Sequence, residues 1–430
     1  MKYTEKENKM LRKAWNILSY GFGIILLVSC TTALSITPTV QDPTLPQTNT
    51  PLLTLTPTAT TIPKPNDYIV IAQLNLWYYG PGCYGGFEQF NCSGKRSTPL
   101  TPALGATYDS ADPAVIKQQI DWAVAYGVDA FSIEWTTPRG IGNSLENILD
   151  DNFLKASNLN KVRWCIFYDL ELRIQQDPAL QVDLSSGMNF DNPDVYNTFV
   201  SDFDHFARKY FDQAQYLKID GRPVVYIWGT WNARGNFAGA FADARKKAAD
   251  QGFDVFIVGD IIRADTFNAK LAASYDANTN FVFLVPGLGT YKDVGATVPA
   301  LDIALRDWQK EIKGLKVTGR QDLVNLEPGF DPQFDNRLFC AGAGNTNCIY
   351  VPAASRDQVV AMADLVKKYA TPVGSQGEKL VWVNTWNNWA ETTTVEPTIL
   401  QGPKYPAGNY GFDFVEIIHD TFGAEVFPPN

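Results

Sequence analysis

Histidine is almost missing from the chain. Only His205 and His419 occur among 430 residues, and both fall in segments whose patterns predict helices. A Ser-His-Asp triad or a metal centre with histidine ligands therefore has little to draw on. The sequence also lacks a CxxC pair, a Cys/His cluster and a Gly-rich phosphate turn after the first predicted strand. We expect no metal and no cofactor.

Positive charge is also in short supply. The chain has 36 Lys and Arg residues against 46 Asp and Glu, a formal net charge of −10. This balance argues against nucleic acid and anionic membrane surfaces as partners, and it is compatible with a neutral glycan. The hydrophobic content of 45% gives ample material for a large core, and we expect a monomer.

The N-terminus has the pattern of a targeting segment. A basic head is followed by an apolar run, Ile17 to Val28, that is too short for an ordinary spanning helix. The run ends in Leu27-Val28-Ser29-Cys30, which resembles the bacterial lipoprotein signal. That resemblance implies residues 1–30 as signal and lipobox, with Cys30 lipidated, and an exported cell-surface lipoprotein. A plain signal peptide or an uncleaved anchor is the alternative, and each version exports the protein.

Residues 31–66 have the composition of a linker. Twelve of these 36 residues are Thr and seven are Pro, so the segment is unable to bury a core and its prolines hold it extended. We predict a stalk that joins the lipid anchor, the only membrane contact, to a domain over residues 67–430.

The remaining cysteines fit an oxidising compartment. Cys83 and Cys92 bracket one short segment, and Cys340 and Cys348 bracket another, so we predict two local disulfides, with four free thiols as the alternative. Cys165 lies in an apolar run and is predicted to be a buried free thiol.

From residue 67 onward, apolar runs alternate with helical patterns. The runs that predict strands are 67–77, 128–135, 161–171, 222–231, 253–260, 272–278, 321–331 and one that begins near Val381. Helices are predicted between them and at 412–422 after the last, with Asp112-Pro113 and Asn192-Pro193 as helix starts. Eight such units predict an α/β fold, a (β/α)8 TIM barrel with extended loops at 79–111, 263–297 and 327–354. An open doubly wound sheet is the rival.

The stretch from Val381 to Pro397, VWVNTWNNWAETTTVEP, begins as a strand and continues as a loop rich in Trp, Asn and Glu. Indole rings stack on sugar rings, amides bind hydroxyls and carboxyl groups move protons, so this loop predicts a sugar site. A polar loop whose Trp residues cap the core is the alternative.

Across all the predicted strand ends, this one included, aromatic and acidic residues gather where barrel enzymes hold their chemistry. The Trp residues are Trp77, Trp135, Trp228, Trp231, Trp386 and Trp389. The acids are Glu134, Asp169, Glu171, Asp260, Asp276, Glu327 and Glu391. An acidic cleft lined by aromatic rings is what glycoside cleavage needs, because one carboxyl group protonates the leaving oxygen and another serves as nucleophile, base or stabiliser.

The order of these landmarks resembles the barrel glycosidases related to endo-alpha-mannosidase (glycoside hydrolase family 99) and the WbsX-like proteins. The matching segments are Trp77-Tyr78-Tyr79-Gly80, Tyr108 to Pro113, Gly127 to Phe131, Pro328 to Asp331 and Trp386 to Pro397. The α-1,3-glucanases of family 71 have a similar ending.

The resemblance implies the catalytic roles. Glu391 matches the proton donor of the mannosidases, and nearby Trp rings are expected to raise its pKa by desolvation. Asn388 stands where those families have a second acid, so either Glu134 or Asp169 is expected to supply the missing carboxylate. The residues expected to bind sugar are Trp77, Tyr78, Trp135, Tyr168, Trp228, Trp231, Trp386, Asn387, Asn388 and Trp389.

Two functions stay open. One is a glycoside hydrolase, endo-acting on an extracellular polysaccharide of α-mannan or α-glucan type. The other is a non-catalytic glycan-binding lipoprotein, because Asn388 replaces an expected acid. Either way, a poly- or oligosaccharide is the expected partner.

Overall fold

The structure of the chain is a computed structural model. It describes residues 68–78, 98, 100–105, 108–142, 144–184, 187–230, 233–260, 268–279, 298–299, 302–303, 305–307, 309–310, 321–329, 356–400 and 409–423. The signal segment, the linker and most of the three long predicted loops lie outside these residues.

Eight parallel strands form the centre of the fold. In chain order they are β1 Tyr68–Leu74, β2 Ala130–Trp135, β3 Arg163–Asp169, β4 Arg222–Trp228, β5 Phe256–Asp260, β6 Ala277–Thr279, β7 Gln321–Leu326 and β8 Lys379–Val383. Each strand pairs in parallel with the next, and β8 pairs with β1, so the ring is closed. A two-residue antiparallel strand, Lys218–Ile219, flanks β4. The predicted TIM barrel is confirmed.

Helices follow the strands. They are α1 Pro113–Ala125, α2 Glu146–Asp151, α3 Leu170–Gln176, α4 Pro193–Lys209, α5 Phe237–Asp250, α6 Ala269–Ala272, α7 Arg356–Tyr369 and α8 Asp413–Phe422. Two short 3-10 helices, Phe153–Lys155 and Leu159–Lys161, precede β3. The described residues within 298–310 are also helical. No described helix has both the length and the apolar character needed to cross a membrane.

The predicted starts of α1 and α4 are confirmed. The Asp112 side chain accepts a hydrogen bond of 2.8 Å from the Ala114 N–H, and Pro113 occupies the first turn. Asn192 does the same for the N–H of Asp194, also at 2.8 Å. Each cap satisfies an N–H that the first turn leaves without a helical partner.

The sixth strand is shorter than expected. The prediction placed it over 272–278, whereas β6 covers Ala277–Thr279 and Ala272 ends helix α6. Asp276 therefore precedes β6 instead of ending it. Its carboxylate pairs with Arg222 and Arg245, each at 2.8 Å, at the opposite end of the barrel from the strand C-termini. Asp276 is a structural ion-pair partner, and its expected place in the acidic cleft is wrong.

Successive strand residues divide between the barrel interior and the helix layer. Inside, the ring of Tyr226 stacks on Phe167 with centroids 4.7 Å apart and contacts Trp382 at 4.6 Å. Outside, Trp164 packs on Tyr216 and Tyr210. Because β2 and β3 pair Glu134 with Phe167, Glu134 lies on the interior side.

Candidate active site

Three carboxyl groups meet at the C-terminal rim of the barrel. Glu134 is near the end of β2, Asp169 is the last residue of β3, and Glu391 lies in the loop after β8. Their exposed fractions are only 2%, 7% and 8%. Parallel strands bring these positions to one rim, which is where barrel enzymes place their chemistry.

Glu134 feels the charges of both other carboxyl groups. Burial, then the charge of Asp169, raise the pKa of Glu134 well above its usual value. A hydrogen bond from Gln73 acts against them, and the charge of Glu391 adds a smaller rise. Burial also raises the pKa of Asp169 to about 7, although the backbone N–H groups of Leu172 and Glu171 favour its charged form. The raised pKa of Glu134 favours its protonated form, and Asp169 is partly charged near neutral pH.

Asn388 holds Glu391 in position. Its side-chain Nδ2 donates to Oε2 of Glu391 at 2.8 Å, and its backbone N–H donates to Oγ1 of Thr385 at 2.7 Å. The side chain of Asn388 is thus engaged with the candidate acid. An amide at this place orients a carboxylate but has no proton to exchange at neutral pH.

The β8 loop, defined here as residues 384–396, is tied to the start of the chain by a buried hydrogen-bond network. Asn387 accepts from the Asn75 N–H at 2.8 Å and donates to the Asn75 carbonyl at 2.9 Å. The Tyr78 hydroxyl donates to the Asn387 carbonyl. The Tyr108 hydroxyl accepts from Trp389 at 3.1 Å and donates to Glu396 at 2.9 Å. These contacts fix the loop that carries Glu391.

Several expected sugar-binding residues are used by this network instead. Asn387, Trp386 and Trp389 have no exposed surface, and Tyr78 has 2%. Trp386 packs edge-on against Phe131 with ring centroids 5.3 Å apart. The alternative reading, in which the Trp residues cap the core, therefore describes Trp386 and Trp389.

Trp135 and Tyr168 lie outside the cleft. Trp135 packs edge-on against Phe206 of α4 at 4.7 Å, and Tyr168 donates a 2.7 Å hydrogen bond to Asp202 of the same helix. Trp135 follows the interior residue Glu134, and Tyr168 precedes the interior residue Asp169. Because neighbouring residues of a strand point to opposite faces, both rings point toward the helix layer. Their expected role in sugar binding is corrected accordingly.

Trp77 and Trp228 keep partly exposed rings at the rim. Trp228 ends β4 directly opposite Asp169 in the strand register. Gly229 follows with φ +85°, and a Cβ there would lie 3.0 Å from the backbone nitrogen of Glu171. Glycine thus lets the end of β4 approach α3, which places the Trp228 ring beside the acids.

Helix α3 is held from behind by a buried ion pair. Arg173 donates to Asp202 on α4 and to Asp177, each at 2.8 Å. This fixes the helix whose first turn caps on Asp169 and carries Glu171. Burial, then the charge of Asp169, raise the pKa of Glu171 to about 8, against a hydrogen bond from Gln175.

Two more acids of the predicted cluster lie at other strand ends and are fully buried. Asp260 ends β5 and Glu327 follows β7, and neither has exposed surface. After burial, their charges are among the causes that raise the pKa of Tyr226 in the barrel interior. Gln73 and Asn75, at the end of β1, were missed by the sequence analysis, although the alternation Gln73, Asn75 in an apolar strand was visible.

Other expectations meet the structure only in part. Cys165 is a buried free thiol, as predicted. Trp231, Cys30, and the pairs Cys83–Cys92 and Cys340–Cys348 lie outside the described residues. His205 sits on α4 with its Nε2 2.5 Å from Glu146. No group of three or more His, Cys, Asp or Glu residues suited to a metal ion occurs in the described part of the chain.

Solved structures share this fold. The GH99 endo-alpha-mannosidase from Bacteroides thetaiotaomicron superposes with a TM-score of 0.54 at 16% identity, covering 82% of this chain and 96% of that one. A glycoside hydrolase-like protein gives a TM-score of 0.61 at 16% identity, covering 86% of this chain and 98% of that one. At such identities the likeness concerns the fold. No curated protein sequence matches the chain.

The sequence itself matches a family model. The model described as "Glycosyltransferase WbsX" covers residues 193–407, which is 215 of 430 residues and therefore half of the chain. The match spans β4 to β8 and includes the β8 loop with Asn388 and Glu391. The resemblance to family 71 stays a prediction. The chain belongs to the WbsX family.

Proposed function

We propose that the protein is a glycoside hydrolase that cleaves within an extracellular polysaccharide of α-mannan or α-glucan type. The observation that carries this proposal is the set of three buried carboxyl groups at one barrel rim, Glu134, Asp169 and Glu391, of which Glu134 feels the charge of both others. Glycoside cleavage needs one protonated and one charged carboxyl group on either side of the bond.

The proposed roles follow from the surroundings of each group. Glu391, oriented by Asn388, protonates the leaving oxygen. Asp169, whose charged form accepts the N–H of Leu172 at 2.8 Å, supplies the opposing carboxylate. The raised pKa of Glu134 favours its protonated form, which donates a hydrogen bond to the reacting sugar. Asp169 thus supplies the second catalytic carboxylate, a role that the uncharged amide of Asn388 is unable to fill.

A glycoside hydrolase cleaves a glycosidic bond and passes the sugar to water, whereas a glycosyltransferase passes a sugar from an activated donor to the hydroxyl of an acceptor. The family description names a transferase. The fold relatives with TM-scores above 0.5 are named as a glycosidase and a glycoside hydrolase-like protein. The sheltered carboxyl set fits a reaction that begins with protonation of a glycosidic oxygen, so we favour hydrolysis.

The alternative is a non-catalytic glycan-binding protein, which the Asn388–Glu391 pair favours. A panel of α-mannans and α-glucans separates the two. Wild-type chain and Glu378→Gln, a control at a half-buried acid just before β8, are expected to release oligosaccharides, and Glu391→Gln is expected to release none. An inert wild type made active by Asn388→Glu contradicts the hydrolase and supports the binding protein.

We further propose that the protein is exported and anchored to the bacterial surface by lipid on Cys30, with disulfides Cys83–Cys92 and Cys340–Cys348. Mass spectrometry is expected to find lipid on the wild type and none on Cys30→Ala, which should leave the membrane fraction. Unreduced peptide maps are expected to show both pairings. Free thiols at these positions, or full membrane retention of Cys30→Ala, contradict the proposal.

A further inference from the structure

Two amide side chains form a pair at the end of β1. Gln73 is 3% exposed and Asn75 is fully buried. Because alternate residues of a strand share a face, both lie on the interior side, and Nε2 of Gln73 donates to Oδ1 of Asn75 at 3.1 Å. The same Nε2 is 3.5 Å from Oε2 of Glu134. The amide pair therefore lies beside the candidate catalytic carboxyl groups.

Each amide keeps one polar atom unused. Within the described part of the chain, no protein atom hydrogen-bonds Oε1 of Gln73 or Nδ2 of Asn75. Buried side-chain amides in folded proteins are nearly always satisfied, because an orphaned polar atom is costly. The pair thus presents one acceptor and one donor to something other than the described protein atoms.

This conclusion does not depend on the protonation of Glu134. If Glu134 donates its proton, the amide of Gln73 turns so that its Oε1 accepts that proton. The amide of Asn75 then turns as well, so that its Nδ2 donates to the same Oε1. The roles of the two free atoms are then exchanged. One donor and one acceptor remain in either arrangement.

The backbone of the same residues has a separate task. The Gln73 carbonyl accepts from the Trp386 N–H at 2.6 Å, and both backbone groups of Asn75 bond to the Asn387 side chain. The main chain of β1 therefore anchors the β8 loop. Replacement of the two side chains leaves these anchors in place, so their effect on a ligand can be measured separately.

We propose that Gln73 and Asn75 form a hydroxyl-binding site for the sugar ring held at Glu134 and Glu391. A sugar hydroxyl both donates and accepts, so it complements one free acceptor and one free donor. This inference rests on the proposed function and adds its specificity. A sugar without that hydroxyl leaves two buried polar atoms unpaired and is rejected.

The first test uses Gln73→Met and Asn75→Leu in the full chain, since both replacements keep the approximate volume and remove the hydrogen bonds. Asn158→Leu is the matched control, because Asn158 is a 4% exposed amide between the 3-10 helices before β3, at the far end of the barrel. On the α-mannan or α-glucan that the wild type cleaves, each cleft variant is expected to lose about 100-fold or more in kcat/KM. The control should stay within about twofold. Cleft variants that also stay within twofold overturn the inference and leave the hydrolase intact.

The second test needs no activity. A high-resolution crystal structure of the full chain without sugar is expected to show an ordered water bonded to both free amide atoms, because a polar site of this kind holds water until a hydroxyl displaces it. Empty density there, or protein atoms bonded to both amides, overturns the inference even if the enzyme is active. With an inactive wild type the hydrolase proposal fails, and this structure alone decides the hydroxyl site.

Discussion

Glu396 offers a prediction whose sign and size follow from its surroundings. It has no exposed surface, accepts from the Tyr108 hydroxyl at 2.9 Å and accepts from Nε2 of Gln119 at 3.2 Å. Burial raises its pKa to about 8, against hydrogen bonds from Tyr108, Gln119 and Trp389. Because the folded pKa exceeds the unfolded value of 4.5, the group's favourable contribution is complete below pH 4.5. It is lost as the pH rises through about 8.

The size of the effect follows from the same values. A rise from 4.5 to about 8 corresponds to about 5 kcal/mol of lost stability above pH 8, at 1.36 kcal/mol for each pH unit. Glu396→Gln has no charge to bury. Oε1 of Gln119 has no hydrogen bond to a described protein atom, so the Gln119 amide is able to turn and accept from the new side chain. The variant should therefore keep both contacts.

Urea unfolding of the full chain at pH 5, 7 and 8.5 measures the effect. We expect Glu396→Gln to match the wild type within about 1 kcal/mol at pH 5 and to exceed it by about 2–5 kcal/mol at pH 8.5. Glu146→Gln is the matched control, a second buried glutamate. Burial acts to raise the pKa of Glu146, but hydrogen bonds with His205, Tyr210 and the Arg139 N–H outweigh it and lower that pKa.

The control should behave in the opposite way. Glu146→Gln replaces a stabilised charge and is expected to be less stable than the wild type at pH 5, 7 and 8.5 alike. If both variants show the same pH trend, or if Glu396→Gln has no advantage at pH 8.5, the reasoning about buried carboxyl groups in this barrel is refuted.

Two further predictions concern the cleft. Trp228→Ala should weaken binding of the cleaved glycan about tenfold with little loss of stability, because Trp228 is partly exposed. Trp386→Ala should instead cost about 3–5 kcal/mol of unfolding free energy, because Trp386 is fully buried. Titration calorimetry measures the binding and urea unfolding measures the stability, and the reverse pattern contradicts the placement of the two rings. The rate should rise with pH through about 7, because Asp169 must lose its proton to act; a kcat/KM profile that is flat between pH 6 and 8 contradicts that role.

Local signals in the sequence predicted the barrel well. The apolar runs of β1 to β5, β7 and β8 and the caps Asp112 and Asn192 depend on neighbouring residues, which the sequence displays. The strand parity of Trp135 and Tyr168 was also available, since Glu134 and Asp169 point inward. Both faces of a parallel strand in a barrel are apolar, so the residue pattern alone does not show which face meets the interior and which meets the helices.

The partners of the β8 loop were beyond reach of the sequence. Asn387 bonds to Asn75 across 312 positions, and Glu396 bonds to Tyr108 across 288. From the sequence alone, an Asn, a Tyr or a Trp in a polar loop is equally able to bind a sugar or to hydrogen-bond a distant residue of the same chain. Only the closed β1–β8 pairing brings the two ends of the chain together and decides between them.

The central claim is that Glu391 protonates the leaving oxygen, and one comparison tests it most directly. Wild type and Glu391→Gln are assayed on the natural polysaccharide and on a dinitrophenyl glycoside of its disaccharide unit, whose leaving group needs little protonation. We expect the variant to lose 10²- to 10⁴-fold on the polysaccharide and less than about tenfold on the activated substrate. Equal losses on both substrates, or full activity of the variant on the polysaccharide, contradict the claim.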